Sequence, residues 1–148
     1  MLAYTAGFFD GEGSINILTR KRKDWNTEYS LSVAIGQKDG KTLDWIKDNF
    51  GGNVYLVKRD GTFYWSCGGG RNAEKFLRSI YPFLQYKKPQ AELAFEFYSG
   101  RKNRTNPISK KELARREKIR LNLIAIKKNP IRSQYAGSTT KRADPKGM

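Results

Sequence analysis

The sequence contains no histidine and, among its 148 residues, a single cysteine, Cys67. Without histidine, Ser-His and Cys-His nucleophilic machinery is excluded, and with it most zinc chemistry. One cysteine excludes an internal disulfide and any Cys-rich zinc site. No apolar run approaches the roughly 18 residues of a membrane span. The opening residues lack a basic stretch followed by an apolar one, so no secretory signal is expected. An intracellular location is expected instead, with the compartment left open. Any catalysis is left to carboxylates, amines, hydroxyls, backbone groups or a hard metal.

Acidic residues are also scarce. There are 14 Asp and Glu against 29 Lys and Arg, a formal net charge of +15. Residues 1–99 carry 14 basic and 11 acidic residues, whereas residues 100–148 carry 15 and 3. The front part has the balance of an ordinary mixed α+β domain, and the back part reads as an electrostatic arm. A large polyanion is the simplest partner for such an excess, because Lys and Arg contacts to phosphates release condensed counterions. Charge for solubility alone is the bland alternative. An anionic membrane surface fits less well, since the basic helix near 109–128 lacks a broad aromatic face. An aromatic share of 13% is too high for a disordered chain. The chain divides into a core over 1–100, a basic linker and C-terminal helix over 101–128, and a basic tail over 129–148 that is expected to be mobile.

The periodicity predicts the elements in order. A short apolar helix over 3–10 is stopped by Gly11 and Gly13, and its small residues Ala3, Ala6 and Gly7 would let another backbone come close. Ile15 and Ile17 then alternate with Asn16, Leu18 and Arg20. After a basic turn, Tyr29, Leu31, Val33 and Ile35 alternate with small and polar residues, giving a half-buried hairpin. Asp39 caps a helix over 40–50 that carries Leu43, Ile46 and Phe50 and closes at Gly51-Gly52. Two short strands, about 53–59 and 62–68, meet at Asp60-Gly61. Asn72 caps a helix ending near Pro82, and another helix runs from Pro89 to Gly100. Ser109 and Glu112 form a capping box for a helix over about 110–128, ended by Pro130. Four strands in two hairpins give one antiparallel sheet, with one face on the helices and the other open.

Chemistry concentrates in residues 5–13, Thr-Ala-Gly-Phe-Phe-Asp-Gly-Glu-Gly. Two acids of an acid-poor chain stand here at i and i+2, flanked by glycines that let a ligand approach the backbone. They lie at a helix C-terminus, where the macrodipole disfavours negative charge unless a cation is near. A hard divalent metal bound by carboxylate and carbonyl oxygens would relieve that cost. The same residues also suit a plain glycine-rich helix stop with an Asp capping the next turn.

This segment resembles the LAGLIDADG homing endonuclease motif at all nine positions. Ala6, Gly7, Asp10 and Gly13 match identically, Glu12 matches conservatively, Gly11 is a frequent variant, Ser14-Ile15 follow typically, and Thr5 alone is a weak match. The resemblance covers about residues 2–100. It implies an αββαββα fold, here with further C-terminal helices, and a DNA endonuclease activity. It further implies that Glu12 binds catalytic metal with the Gly11 carbonyl beside it, and that Asp10 is more structural. Two motif helices pack together in this family, so Ala3, Ala6 and Gly7 become the expected contact with a second copy of the chain. Gln37 resembles the residue that supplies a polar group to the solvent network around the metals. In Leu84-Gln85-Tyr86-Lys87-Lys88-Pro89, Lys87 resembles the lysine at the scissile phosphate, with Lys88 one register away. Lys41 stands where some members carry a basic residue near the cleaved phosphate.

The implied chemistry is phosphodiester hydrolysis with Mg2+ as cofactor, which needs no histidine. One motif provides one acid, whereas two strands need two sites, so a homodimer on double-stranded, near-palindromic DNA is expected. The open sheet face is the expected reading surface in the major groove. Strand alternation assigns to it Asn16, Leu18, Arg20 and Arg22 from the first strand and Glu28, Ser30, Ser32 and Ala34 from the second. Tyr55, Val57, Arg59, Tyr64 and Ser66 come from the second hairpin, with its register open by one residue. Arg115, Arg116, Lys127 and Lys128 are expected to add non-specific phosphate contacts. The alternative is a non-catalytic nucleic-acid-binding protein such as an intron-RNA splicing helper. Intron mobility would follow from the family and is not written in the residues themselves.

Overall fold

A computed structural model describes residues 1–21, 23, 27–69, 71–99 and 108–128. Arg22, the 101–107 linker and the 129–148 tail, which the sequence reading included, lie outside the described residues. The elements run α1 (Leu2–Glu12), β1 (Gly13–Lys21), β2 (Thr27–Gln37), α2 (Lys41–Phe50), β3 (Asn53–Val57), β4 (Thr62–Gly68), α3 (Asn72–Ile80), a 3-10 turn (Tyr81–Phe83), α4 (Lys88–Ser99) and α5 (Lys110–Lys128). The sheet is antiparallel in the order β1-β2-β4-β3, so the two hairpins join through β2 and β4.

The alternation of β1 and β2 holds through the register. Ile15, Ile17, Tyr29, Leu31, Val33 and Ile35 face the core, while Asn16 pairs with Ser32 and Leu18 with Ser30 on the open face. Burying one face is what fixes this register, because a one-residue slip would turn every apolar side chain to solvent. On the core side the helices bring a chain of aromatics. Phe76 of α3 meets Phe9 of α1, Phe50 of α2 and Trp65 of β4 at centroid distances of 5.4, 5.2 and 4.9 Å. The Trp65 indole N–H donates to the Gly51 carbonyl at 2.8 Å, which ties the α2–β3 turn to the sheet. Gly51 and Gly52 take φ of 77° and 87°, a region that L side chains avoid.

Several boundaries differ from the sequence reading. α1 continues through Gly11 to Glu12 instead of stopping at residue 10. Gly13 then begins β1, and it must be glycine because a Cβ there would stand 2.2 Å from the Phe9 ring. β3 ends at Val57, so Arg59 lies in the turn and is not a strand residue. Asn72 is the first residue of α3, which has no side-chain cap.

The C-terminal helix is less of a free arm than its composition suggests. α5 buries Arg116, Ile119 and Leu123 against the rest of the fold. Half of the capping box forms, with the Glu112 N–H donating to Ser109 Oγ at 3.1 Å. The Glu112 carboxylate does not reach back. It accepts from Arg115 Nε at 2.9 Å and from Arg116 Nε at 3.1 Å. Arg115 also donates to the carbonyls of Glu96 and Phe97, filling acceptors at the end of α4. Arg115 and Arg116 are therefore structural cations, not free phosphate contacts.

Candidate active site and nucleic-acid interface

The motif helix ends where a loop from the other half of the chain meets it. The Gln85 N–H donates to Asp10 Oδ2 at 2.7 Å and the Lys87 N–H donates to Asp10 Oδ1 at 2.9 Å. Both carboxylate oxygens of Asp10 thus hold the backbone of one loop. Lys87 in turn folds its side chain onto the helix, Nζ donating to the Asp10 carbonyl at 2.7 Å. An ammonium at this place satisfies a carbonyl of the last turn and opposes the negative end of the helix dipole. The cation that the helix terminus calls for is therefore supplied in part by Lys87.

Lys87 is buried, and desolvation pushes its pKa below that of an ordinary lysine, opposed by the negative charges of Asp10 and Glu12. Glu12 itself is exposed, one helical step beyond the clamp. Of the two adjacent lysines, Lys87 points to the end of α1, whereas Lys88 lies over the Tyr81 ring at 5.6 Å. The structure thus brings Glu12, Gly11 and Lys87 to one end of α1. Gln37 is the last residue of β2, two positions beyond Ile35, whose partner is Gly13. No hydrogen bond links Gln37 to Glu12 or Lys87 among the described residues. Lys41 opens α2 and shares a shallow depression with Tyr4, Thr42 and Trp45, beside α1 and away from the open sheet face.

A hard divalent cation suits these donors in kind, with one carboxylate, one main-chain carbonyl and no nitrogen or sulfur ligand. A single protomer does not complete a cage. Among the described residues no three acidic or Cys side chains converge on one point. A cation held here would need further oxygens from outside the protomer.

Along α1, Thr5, Ala6 and Phe9 face inward, with Thr5 Oγ1 donating to the Met1 carbonyl at 2.9 Å. Ala6 has no exposed surface and is removed from the expected partner contact, because it belongs to the protomer's own core. The outward stripe is Ala3, Tyr4, Gly7 and Gly11, spaced at one helical turn. A Cβ placed on Gly7 or Gly11 would meet nothing within 4 Å. Tyr4 stacks on Phe8 at 6.3 Å and meets Trp45 edge-on at 5.7 Å, an aromatic flank to this open stripe.

On the open sheet face the register settles the second hairpin. Tyr55 pairs with Tyr64 and Asn53 with Ser66, and Ala34 pairs with Ser66 across β2 and β4. The two tyrosine rings stack at 5.9 Å, and Tyr64 lies so close over Gly36 that a Cβ there would sit 2.8 Å from its ring. Leu18 and Tyr55 are about half exposed, at 52% and 49%. Arg20 is exposed and faces Glu28 across the hairpin. Ser30, Ser32 and Ala34 lie half-buried on the same face, and Val57 ends the β3 row. Asn16 departs from expectation. Its Oδ1 accepts Lys127 Nζ at 2.6 Å and its Nδ2 donates to Ser14 Oγ at 3.2 Å, so the amide is already engaged. The role of Asp10 as a loop clamp and the arrival of Lys127 were not legible in the sequence, because their partners are 75 and 111 positions away.

Comparison with known proteins agrees with this architecture. A family model described as LAGLIDADG endonuclease matches residues 5–103. The DNA endonuclease I-CvuI of Chlorella vulgaris is 27% identical over 109 residues, covering 71% of this chain and 68% of that protein. An uncharacterized cox1 intron-2 protein of Schizosaccharomyces pombe is 37% identical over 76 residues, half of this chain but 23% of that protein. Among solved structures, I-CvuI on a DNA target superposes with a TM-score of 0.62 at 22% identity, covering 80% of this chain and 93% of that one. The archaeal intron-encoded homing endonuclease I-Vdi141I, complexed with DNA, gives 0.70 at 20% identity, covering 97% and 88%. From the motif helix, the clamped lysine and these matches together, the chain belongs to the LAGLIDADG endonuclease family.

Proposed function

We propose that the chain is a metal-dependent endonuclease that acts as a homodimer on a long, near-palindromic DNA duplex, cutting both strands and promoting the mobility of its host intron. The observation that carries this reading is the joint presence of Glu12 and Lys87 at one end of α1 while the Ala3–Tyr4–Gly7–Gly11 stripe of that helix stays open. Two structures of I-CvuI support the DNA-binding part of this reading, both being complexes with DNA, one in the presence of Mg with the DNA not cleaved and the other in the presence of Ca. The intron origin of two relatives supports the mobility reading.

A two-fold axis through the open stripes would place two Glu12 carboxylates side by side, one for each strand. Glu12 and the Gly11 carbonyl would hold Mg2+, which when bound supplies charge relief at the phosphate and an activated water. Lys87 stabilises charge developing on the phosphate, and its clamp to Asp10 pre-sets its position before DNA arrives. Burial favours this task, because electrostatic stabilisation is stronger where water is excluded. Gln37, at the end of β2, would order solvent near the same centre. The sheet face reads bases, with Arg20 as its long cationic reader, Arg59 reaching in from the β3–β4 turn, and Tyr55, Tyr64 and Leu18 as apolar contacts.

Incubating the pure protein and Mg2+ with plasmids carrying a randomised insert tests the activity directly. Recovery of linear products cut at one sequence is the expected result. Absence of cutting together with tight RNA binding would favour the splicing-helper reading instead. Assembly has its own test. Gly7→Leu should give a monomer by light scattering while the protomer keeps the parent's helix content by circular dichroism, because a Cβ there meets nothing within 4 Å of its own chain and Leu is the better helix former. A Gly7→Leu chain that remains dimeric removes the stripe as the interface. For readout, Arg20→Ala should relax preference at one or two base pairs by about 1–3 kcal/mol each, measured on duplexes varied at single positions.

A further inference from the structure

The end of α5 reaches the strand that leaves the motif. Lys127 sits in the last turn of α5, and its ammonium is held at 2.6 Å by the Asn16 side-chain oxygen on β1, four residues beyond Glu12. The Asn16 amide is itself oriented by Ser14, two residues from Glu12. Lys127 is half-buried. Among the described residues no carboxylate lies within ion-pair distance of it, in contrast to Arg115, Arg116 and Arg120 on the same helix, each of which pairs with Glu112 or Glu117. Burial lowers its affinity for a proton, and the charge of Lys87 lowers it further. Lys127 thus stands against the strand that leaves the motif, and the acceptor that holds it is neutral. Like charges partly withdrawn from water are unfavourable until an anion comes between them.

We propose that Lys127 is a second phosphate-binding cation of the cleavage centre, contacting a phosphate at or next to the scissile bond, and that Asn16 is its positioning residue and not a reader of bases. The proposal rests on the endonuclease reading above. It separates Lys127 from the rest of the basic C-terminal segment, since a half-buried ammonium pre-set against the strand that leaves the motif acts on one phosphate and not on the duplex at large.

The test uses the full chain, a target duplex selected from a randomised pool, and the variants Lys127→Gln, Lys127→Arg, Asn16→Ala and Asn16→Asp. At saturating enzyme with Mg2+, Lys127→Gln should cut roughly 10²-fold more slowly, as for loss of one oriented donor at a developing charge, and Lys127→Arg should recover part of the rate. Asn16→Asp, which gives Lys127 a carboxylate, should be slower than Asn16→Ala, and neither should alter base preference. In the second arm, single methylphosphonates are placed at successive phosphates across the centre of the bound duplex, and binding is measured with Ca2+. The parent should lose affinity at one central phosphate where Lys127→Gln loses none. A parent-like rate for Lys127→Gln at saturation, or an unchanged methylphosphonate profile, overturns the proposal. Altered base preference in Asn16→Ala overturns the assignment of Asn16. A parent that cuts nothing overturns the endonuclease reading, and the binding arm still decides whether Lys127 holds a central phosphate.

Discussion

Glu12→Gln should cut DNA about 10³-fold more slowly than the parent while binding the same duplex with similar affinity. The change keeps the side chain's shape and removes one negative oxygen. A carboxylate that holds metal at a reacting phosphate contributes several kcal/mol of charge stabilisation, and about 4 kcal/mol corresponds to about 10³ in rate. Glu12 is exposed and has no hydrogen-bond partner among the described residues, so folding does not depend on it. Removing an acid from a helix C-terminus relieves the dipole while Lys87 loses one of its opposing charges, so the melting temperature should stay close to the parent's. Loss of activity without loss of stability distinguishes this outcome from misfolding. The checks are single-turnover cleavage with Mg2+, filter binding with Ca2+ and a thermal melt. Cutting by pure Glu12→Gln at near the parent rate would remove Glu12 from the chemistry.

Asp10→Ala should lose both activity and stability. The Asp10 carboxylate accepts the N–H groups of Gln85 and Lys87, and without it two donors of a folded loop lose their partner. Hydrogen bonds to charged groups each contribute about 1.5–3 kcal/mol, less where solvent can replace them, as at the exposed Gln85. A loss of about 2–3 kcal/mol follows, or roughly 5–10 °C in melting temperature for a chain of this length. The main-chain carbonyl that accepts the Lys87 ammonium survives the change, but the loop that carries Lys87 loses its anchor, so cleavage should fall even at temperatures where Asp10→Ala is folded. Asp10→Asn keeps one oxygen acceptor and should lie between. An Asp10→Ala protein with the parent melting temperature would contradict the clamp.

The parts of the fold that could be read from the sequence are those encoded by neighbours in the chain. Ile15 and Ile17 against Asn16 and Leu18, and the longer alternation from Tyr29 to Ile35, declare a half-buried hairpin because the period of two is local. The Asp60-Gly61 turn and the start of α5 at Ser109 are local in the same way. The motif placed Glu12 at the helix end, although the helix runs two residues further than glycine alone suggested. What could not be read are the pairings made by distant segments. Nothing around Asp10 announces that its two oxygens hold residues 85 and 87. Nothing around Arg115 and Arg116 announces that they cap α4 and pair with Glu112, so their charge looked available when it was not. Ala6 and Gly7 are indistinguishable as small residues until the helix is oriented, after which one is core and the other surface.

The Asp10 clamp also has a consequence for synthesis. It joins residue 10 to a loop that leaves the ribosome 75 and more residues later. At about 5–20 residues per second, the motif helix waits roughly 4–15 s for the lysine that completes its end. During that interval the nascent chain carries Glu12 but neither Lys87 nor a folded partner helix. A truncated translation product that stops before residue 87 contains the whole motif but not the loop that Asp10 holds, so on the proposed reading such fragments should be unable to cut DNA.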